Sequence, residues 1–273
     1  MQLNCKIVKQ SICIIIGILL LLLALLVSYV AIHYYSISLQ GGSTLHVFQA
    51  SCINNRKKAI MILPGGGYSS LSKVNEGFLW IPFLHRLGFT VAVLDYRMPH
   101  HDYRIPMYDA TNAIIALRKR ADDLNLSKNG IGLMGFSAGG HLATTMMVSD
   151  DNEIRPDFVL LFYPVVSMRK ELTHLGTHDN LLGKEVSKEL EYQFSSELQI
   201  RSNTPPVFIA VSKDDSIVNP LNSILLYNEI KKKGQSVSFH IYPEGGHGWG
   251  YINKFPYRDQ MYENMKNWLD SLD

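Results

Sequence analysis

The chain has 273 residues, 47% of them apolar, enough to bury one substantial core, and a single α/β domain suits that length better than two large ones. A formal net charge of +2 with acids and bases interspersed excludes the basic footprint of a nucleic-acid binder. Of the three cysteines, Cys5 and Cys13 sit in the N-terminal apolar region, so Cys52 is alone and no internal disulfide framework is available to the rest. No Cys/His group has zinc-site spacing and no phosphate loop or dinucleotide fingerprint occurs, so neither a metal nor a cofactor is expected.

From Ser11 to Ile32 there is no charged residue, and Ile, Leu and Val dominate. As a helix rising about 1.5 Å per residue, such a run matches a hydrocarbon core of about 30 Å. Lys6 and Lys9 precede it, and no Lys or Arg follows until Arg56. The positive-inside rule then keeps the start in the cytoplasm and places the remainder outside, with Tyr29, Tyr34 and Tyr35 at the far interface. The expectation is one N-terminal transmembrane helix within residues 1–35. The alternative is a cleaved signal peptide and a secreted product, disfavoured by the length of the run and the lack of a small-x-small site after it.

Beyond it, short apolar runs alternate with amphipathic segments. Thr44 to Phe48 reads as an entry strand, Ala59 to Leu63 as a buried strand ending at Pro64-Gly65-Gly66-Gly67, and Phe78 to Leu87 as a helix closed by Gly88. Thr90 to Leu94 is a strand, followed by a helix from about Tyr108 to Leu124, the strand Ile131 to Phe136, a helix beginning at Ala138, and the strand Phe158 to Phe162. Residues from about 164 to 203 break the rhythm and read as an insertion over the sheet's carboxyl edge. Strand Val207 to Val211, a helix from about Asn222 to Lys233, strand Val237 to Tyr242 and a helix from Tyr257 to Leu272 complete a 36–273 domain. This alternation predicts a mostly parallel sheet with helices on both faces.

In such a sheet, reactive groups gather where the strands end. Gly135-Phe136-Ser137-Ala138-Gly139, between a predicted strand and a predicted helix, reads as a nucleophile elbow, in which a strained turn projects the serine and the glycines let backbone pass close by. Serine needs a base to take its proton. His247 is the candidate, because among the ten histidines it alone follows the last predicted strand in a Gly246-His247-Gly248 loop. His141, four residues past the serine, could line the site, with simple packing as the alternative, and His100, His101, His174 and His178 read as surface loop residues. Asp214 and Asp215 follow the strand ending at Val211, and one should orient the imidazole. Asp215 is preferred for its spacing to Val218; Asp214 is the fallback, the loser being a turn cap. Gly66 and Gly67, with Ala138, supply backbone N–H groups for a developing oxyanion.

Pro64-Gly65-Gly66-Gly67-Tyr68, Asp95-Tyr96-Arg97, Gly135 through His141, Asp214-Asp215 through Asn222-Ser223, and Tyr242-Pro243-x-Gly245-Gly246-His247-Gly248 together resemble the α/β-hydrolase esterases of the acetyl-xylan-esterase and feruloyl-esterase type, over roughly residues 45–270. The resemblance implies an α/β-hydrolase fold and a metal-free serine esterase removing small acyl groups, often acetyl, from carbohydrates. It implies Ser137 as nucleophile, His247 as base, Asp215 as acid, and Gly66, Gly67 and Ala138 as oxyanion donors. Related esterases often carry His where this chain has Pro64, so the oxyanion loop must be braced differently. The expected partners are a small acylated substrate and, through the N-terminal helix, a membrane; no oligomeric state is read from the sequence. Two alternatives stand beside this: an amide or small-peptide hydrolase using the same residues, and a non-catalytic binding protein on the same fold.

Overall fold

Runs of residues buried on both sides make the central strands. All of β3 (Ala59–Leu63), β5 (Ile131–Phe136), β6 (Phe158–Phe162) and β7 (Val207–Ser212) is buried, as is β4 (Thr90–Asp95) up to its last residue. Such strands have helices on both faces. The computed structural model describes residues 15–21, 34–51, 54–252 and 254–273. The chain divides into two compact units, 1–35 and 36–273. The apolar run of residues 11–32 lies outside the described residues except for 15–21, which is helical. Among the described residues no helix is long and apolar enough to cross a membrane.

Eight strands form one sheet in the order β1-β2-β4-β3-β5-β6-β7-β8, with β1 at Tyr34–Ser38, β2 at Thr44–Phe48 and β8 at Val237–Tyr242. β2 runs antiparallel to β4, and from β4 through β8 every pair is parallel. β1 has no counterpart in the sequence reading, which puts Tyr34 and Tyr35 at a membrane boundary; they open an edge strand.

Among the described residues seven α-helices connect and cover the 36–273 unit: α1 (Ile81–Arg86), α2 (Arg104–Lys119), α3 (Ser137–Met147), α4 (Leu175–Leu182), α5 (Lys188–Gln193), α6 (Leu221–Lys232) and α7 (Arg258–Asp270). One face of the sheet, through Ile60, Ile62, Val91, Val93, Met134 and Phe136, joins Trp80 and Leu84 at α1 and Met261, Met265 and Trp268 of α7 in one apolar cluster. α3 packs on β3, β5 and β6, and α6 on β7 and β8. Trp80 lies 5.6 Å from Phe136 and 5.4 Å from Phe162 between ring centroids. Truncating such a side chain to alanine costs about 3–5 kcal/mol and would loosen the strand end before Ser137.

Two helix boundaries differ from the sequence reading, each for a local reason. The segment expected as one helix from Phe78 to Leu87 is a 3₁₀ turn (Phe78–Trp80) and then α1, because Pro82 in the first turn has no N–H to continue the earlier ladder. α2 begins four residues before Tyr108, since Pro106 is tolerated in a first turn, and it ends at Lys119. Past it Leu126 N–H returns to Ala121 O and Asn125 takes a left-handed φ of 52°.

The strand order puts the site where it is. From β3 the chain passes to β4 on one side, then crosses to β5 on the other, so the loops leaving β3 and β5 diverge above paired ends, Leu63 opposite Gly135. A crevice at the carboxyl ends follows from that divergence.

Candidate active site

Ser137 sits where β5 turns into α3, with φ of 50° against an extended Phe136 at −115°. A left-handed serine is strained, and surrounding contacts must hold it. Two of those contacts require glycine. A Cβ on Gly139 would run into the carbonyl of Leu63, and one on Gly135 would lie 2.6 Å from the carbonyl of Gly139. Ser137 O also accepts from Val165 N–H at 3.0 Å.

The loop after β8 brings His247 to that serine. Ser137 Oγ and His247 Nε2 are 2.9 Å apart, and His247 Nδ1 is 2.7 Å from Asp215 Oδ2. A carboxylate can only accept, so Nδ1–H donates to it and Nε2 keeps a lone pair for the serine hydroxyl. Asp215 is itself fixed, its Oδ1 accepting from the N–H groups of Ile217 (3.0 Å) and Val218 (2.9 Å). The Asp215-to-Val218 spacing noticed in the sequence is therefore a side-chain turn that aims the second oxygen. Asp214 lies in the same loop but serves otherwise: its carboxylate accepts from Gly246 N–H (2.9 Å) and Gly245 N–H (3.3 Å), which holds its pKa below the usual carboxylate range. It fastens the histidine loop from outside.

The glycine loop after β3 lies against the serine, for a Cβ on Gly65 would be 2.9 Å from that of Ser137. Gly66 and Gly67 both have left-handed φ, 133° and 62°. Among the described residues no group accepts from the N–H of Gly66, Gly67 or Ala138, the last in the first turn of α3, where helices leave donors unused. With proline at position 64, bracing comes from elsewhere. Tyr96 Oη donates to Pro64 O at 2.6 Å, Asn180 Nδ2 to Gly67 O at 2.8 Å, and Gly65 N–H to Glu76 Oε2 at 2.9 Å.

Three residues around the site were not singled out from sequence. Glu76 is 4% exposed, and its other oxygen accepts from Tyr163 Oη at 2.8 Å. Burial pushes its carboxyl up, opposed by the hydrogen bonds from Tyr163 and Gly65. Tyr163, with left-handed φ of 38°, stands edge-on to His247 with ring centroids 4.7 Å apart. Asn180 reaches the glycine loop from α4, inside the irregular segment. Glu76 is a single acid in a polar loop, and no spacing distinguishes it from a solvated one.

Of the other histidines, His141 is fully buried, with Nδ1 3.1 Å from Tyr68 Oη and Nε2 2.8 Å from Phe194 O; burial lowers its pKa to about 4. The surface placement expected for His178 is corrected: it is fully buried, with Asp179 2.8 Å from its Nδ1 and Glu191 of α5 reaching to 3.2 Å from its Nε2. Among the described residues no group of three or more His, Cys, Asp or Glu is placed to hold a metal ion.

Comparison with known proteins adds the family. Residues 45–230 match the BD-FAE family. The chain is 40% identical over 223 residues to an acetylxylan esterase of Xylanibacter ruminicola, covering 80% of this chain and 46% of that protein. It is 31% identical over 215 residues to endo-1,4-beta-xylanase B of Butyrivibrio fibrisolvens, covering 72% and 33%. The chain thus spans less than half the length of these curated relatives. Among solved structures, an acetyl ester-xyloside bifunctional hydrolase from Caldicellulosiruptor lactoaceticus superposes with a TM-score of 0.77 at 32% identity, covering 84% of this chain and 88% of that one. The sheet order, the serine at the β5–α3 turn and these matches together establish that the chain belongs to the BD-FAE family and has the α/β-hydrolase fold.

Proposed function

We propose that the protein is a serine ester hydrolase that removes small acyl groups, acetyl above all, from carbohydrates. The observation that carries this reading is the hydrogen-bonded line from Ser137 Oγ through His247 to Asp215. Ser137 Oγ attacks the ester carbonyl while His247 Nε2 takes its proton, and Asp215 stabilises the imidazolium. Negative charge moves onto the carbonyl oxygen, where the N–H groups of Gly66, Gly67 and Ala138 receive it. The imidazolium then protonates the departing sugar oxygen, leaving the acyl group on Ser137. A water, deprotonated by His247, attacks that ester, and return of the proton to Ser137 Oγ releases the acid.

The carbohydrate half of the reading is supported by the likeness to the acetylxylan esterase and by the rim of the site. Beside the glycine loop, Tyr68, Ser69, Met98, His100, His101 and Asn180 line a cavity of about 190 Å³. His101 Nδ1 is 2.7 Å from Asp179 O, so Nδ1 carries the proton and Nε2 is an acceptor suited to a hydroxyl. His100 and His101 both have left-handed φ, 48° and 69°, the strained backbone found at ligand clamps. The apolar run 11–32 is proposed to tether this domain on the outer side of a membrane; carbonate-washed membranes that release the full-length protein would overturn that placement.

The test of the activity is hydrolysis of p-nitrophenyl acetate and of acetylated xylo-oligosaccharides, with labelling by a fluorophosphonate. Both activities and the label are expected to vanish in a folded Ser137→Ala protein. Equal rates in parent and variant would overturn the reading.

A further inference from the structure

Glu76 is a buried carboxylate of unusual placement. It is 4% exposed and, among the described residues, makes no ion pair, in contrast to the other buried glutamate, Glu197, which lies 3.3 Å from Arg169. An ionised group taken out of water is costly unless something compensates it. Its hydrogen bonds oppose the upward push of burial and favour the ionised form. Oε2 receives the Gly65 N–H; Oε1 faces Tyr163 Oη, which itself accepts from Gly250 N–H at 2.9 Å and so has its proton to give. Both oxygens are met by donors, the pattern of a carboxylate rather than an acid.

The same three hydrogen bonds join the two halves of the site. Gly65 opens the glycine loop, Gly250 closes the histidine loop, and the Tyr163 ring lies edge-on against His247. The titratable groups facing Glu76 are Tyr96 at the end of β4, Tyr163 after β6 and His247 after β8; those facing His247 include Asp215, His174 and Tyr163. Apart from His247, none of the groups around Glu76 can supply a positive charge.

We propose that Glu76 is a positioning residue that acts through its charge, which is uncompensated in the resting enzyme and is answered by the imidazolium that His247 becomes when it takes the serine proton, while Tyr163 holds both loops at the matching distance. This rests on the serine-hydrolase reading. The interaction strengthens as the transition state forms, which is the condition for raising kcat rather than lowering KM.

The experiment compares parent, Glu76→Gln, Tyr163→Phe and Ser137→Ala on p-nitrophenyl acetate from pH 5 to 9. Glu76→Gln keeps the shape and removes the charge. The expected result is a kcat about tenfold lower with KM within about twofold. A folded Glu76→Gln enzyme with the parental kcat, or one whose loss is all in KM, overturns the proposal. Should that variant not fold, Tyr163→Phe decides: a severalfold loss of kcat at unchanged KM supports the link, and parental kcat overturns it. Ser137→Ala separates the two levels. If it stays active the hydrolase reading itself fails; if it is inactive while Glu76→Gln behaves as parent, only this inference does.

Discussion

His141 stands four residues along α3 from Ser137 and His247 stands 110 residues away on the loop after β8, and the difference between them is in their partners. His141 is enclosed, with its ring nitrogens between a phenol and a main-chain carbonyl. The carbonyl requires Nε2–H, the phenol then donates to Nδ1, and nothing in that pair can exchange a proton at neutral pH. His247 faces a carboxylate on one nitrogen and the Ser137 hydroxyl on the other, so gaining a proton is supported from one side and supplied from the other. Nearness to Ser137 in sequence is thus a poor guide to a histidine's role; the chemistry of the two neighbours decides it.

The largest test of that contrast is substitution at each position. His247→Ala and Ser137→Ala should each lower kcat/KM for p-nitrophenyl acetate by about 10⁴-fold or more, the scale on which such residues act as a unit. His141→Gln should stay within about tenfold of the parent, its loss coming from packing. Comparable losses at 141 and 247 would erase the distinction. The next test sets the two aspartates against each other. Asp215→Asn, which removes the acceptor for His247 Nδ1–H, is expected to cost about 10³-fold in kcat. Asp214→Asn, which leaves an amide oxygen for only one of two glycine N–H groups, should cost severalfold.

A pH series sharpens the comparison from the stability side. Burial holds His141 at a pKa of about 4 against an ordinary 6.5, so the unfolded chain binds the proton more readily than the folded one. The stability this contributes is complete above about pH 6.5 and is lost as pH falls toward 4, about 3 kcal/mol in all. Thermal unfolding should therefore show a fall in Tm across that window, and a weaker His141→Gln protein should lose less of what remains. Equal slopes in the two would contradict the assignment. The smallest effect is expected at the rim: His101→Ala should raise KM for acetylated xylo-oligosaccharides by about threefold to tenfold and leave p-nitrophenyl acetate hydrolysis unchanged, a loss of one neutral hydrogen bond.

Much of the fold is legible in the sequence because burial on two faces leaves no ambiguity. Ala59 to Leu63 and Ile131 to Phe136 are apolar throughout, and the structure returns both strands with those ends. Ser137 and His247 are legible because each follows a strand whose end is unmistakable. Helix limits depend on local competition, as at Pro82 and Pro106, where a missing N–H shifts the first turn. Glu76 could not be read, since its value comes from Tyr163 and Gly65, brought to it by β6 and by the loop after β3. The same holds for His178, whose partner Glu191 comes from α5, within a segment that has charge and no strong apolar period.

The absent side chain at Gly139 sets the tolerance of the whole assembly. Because α3 rests there directly on the main chain of β3, the hydroxyl and the loop proposed to receive the oxyanion share one mechanical datum, with no flexible side chain between them. A single methyl at that point would act as a shim, tilting one part of the apparatus against the other. Gly139→Ala should therefore yield a protein that keeps every reacting group and misaligns them.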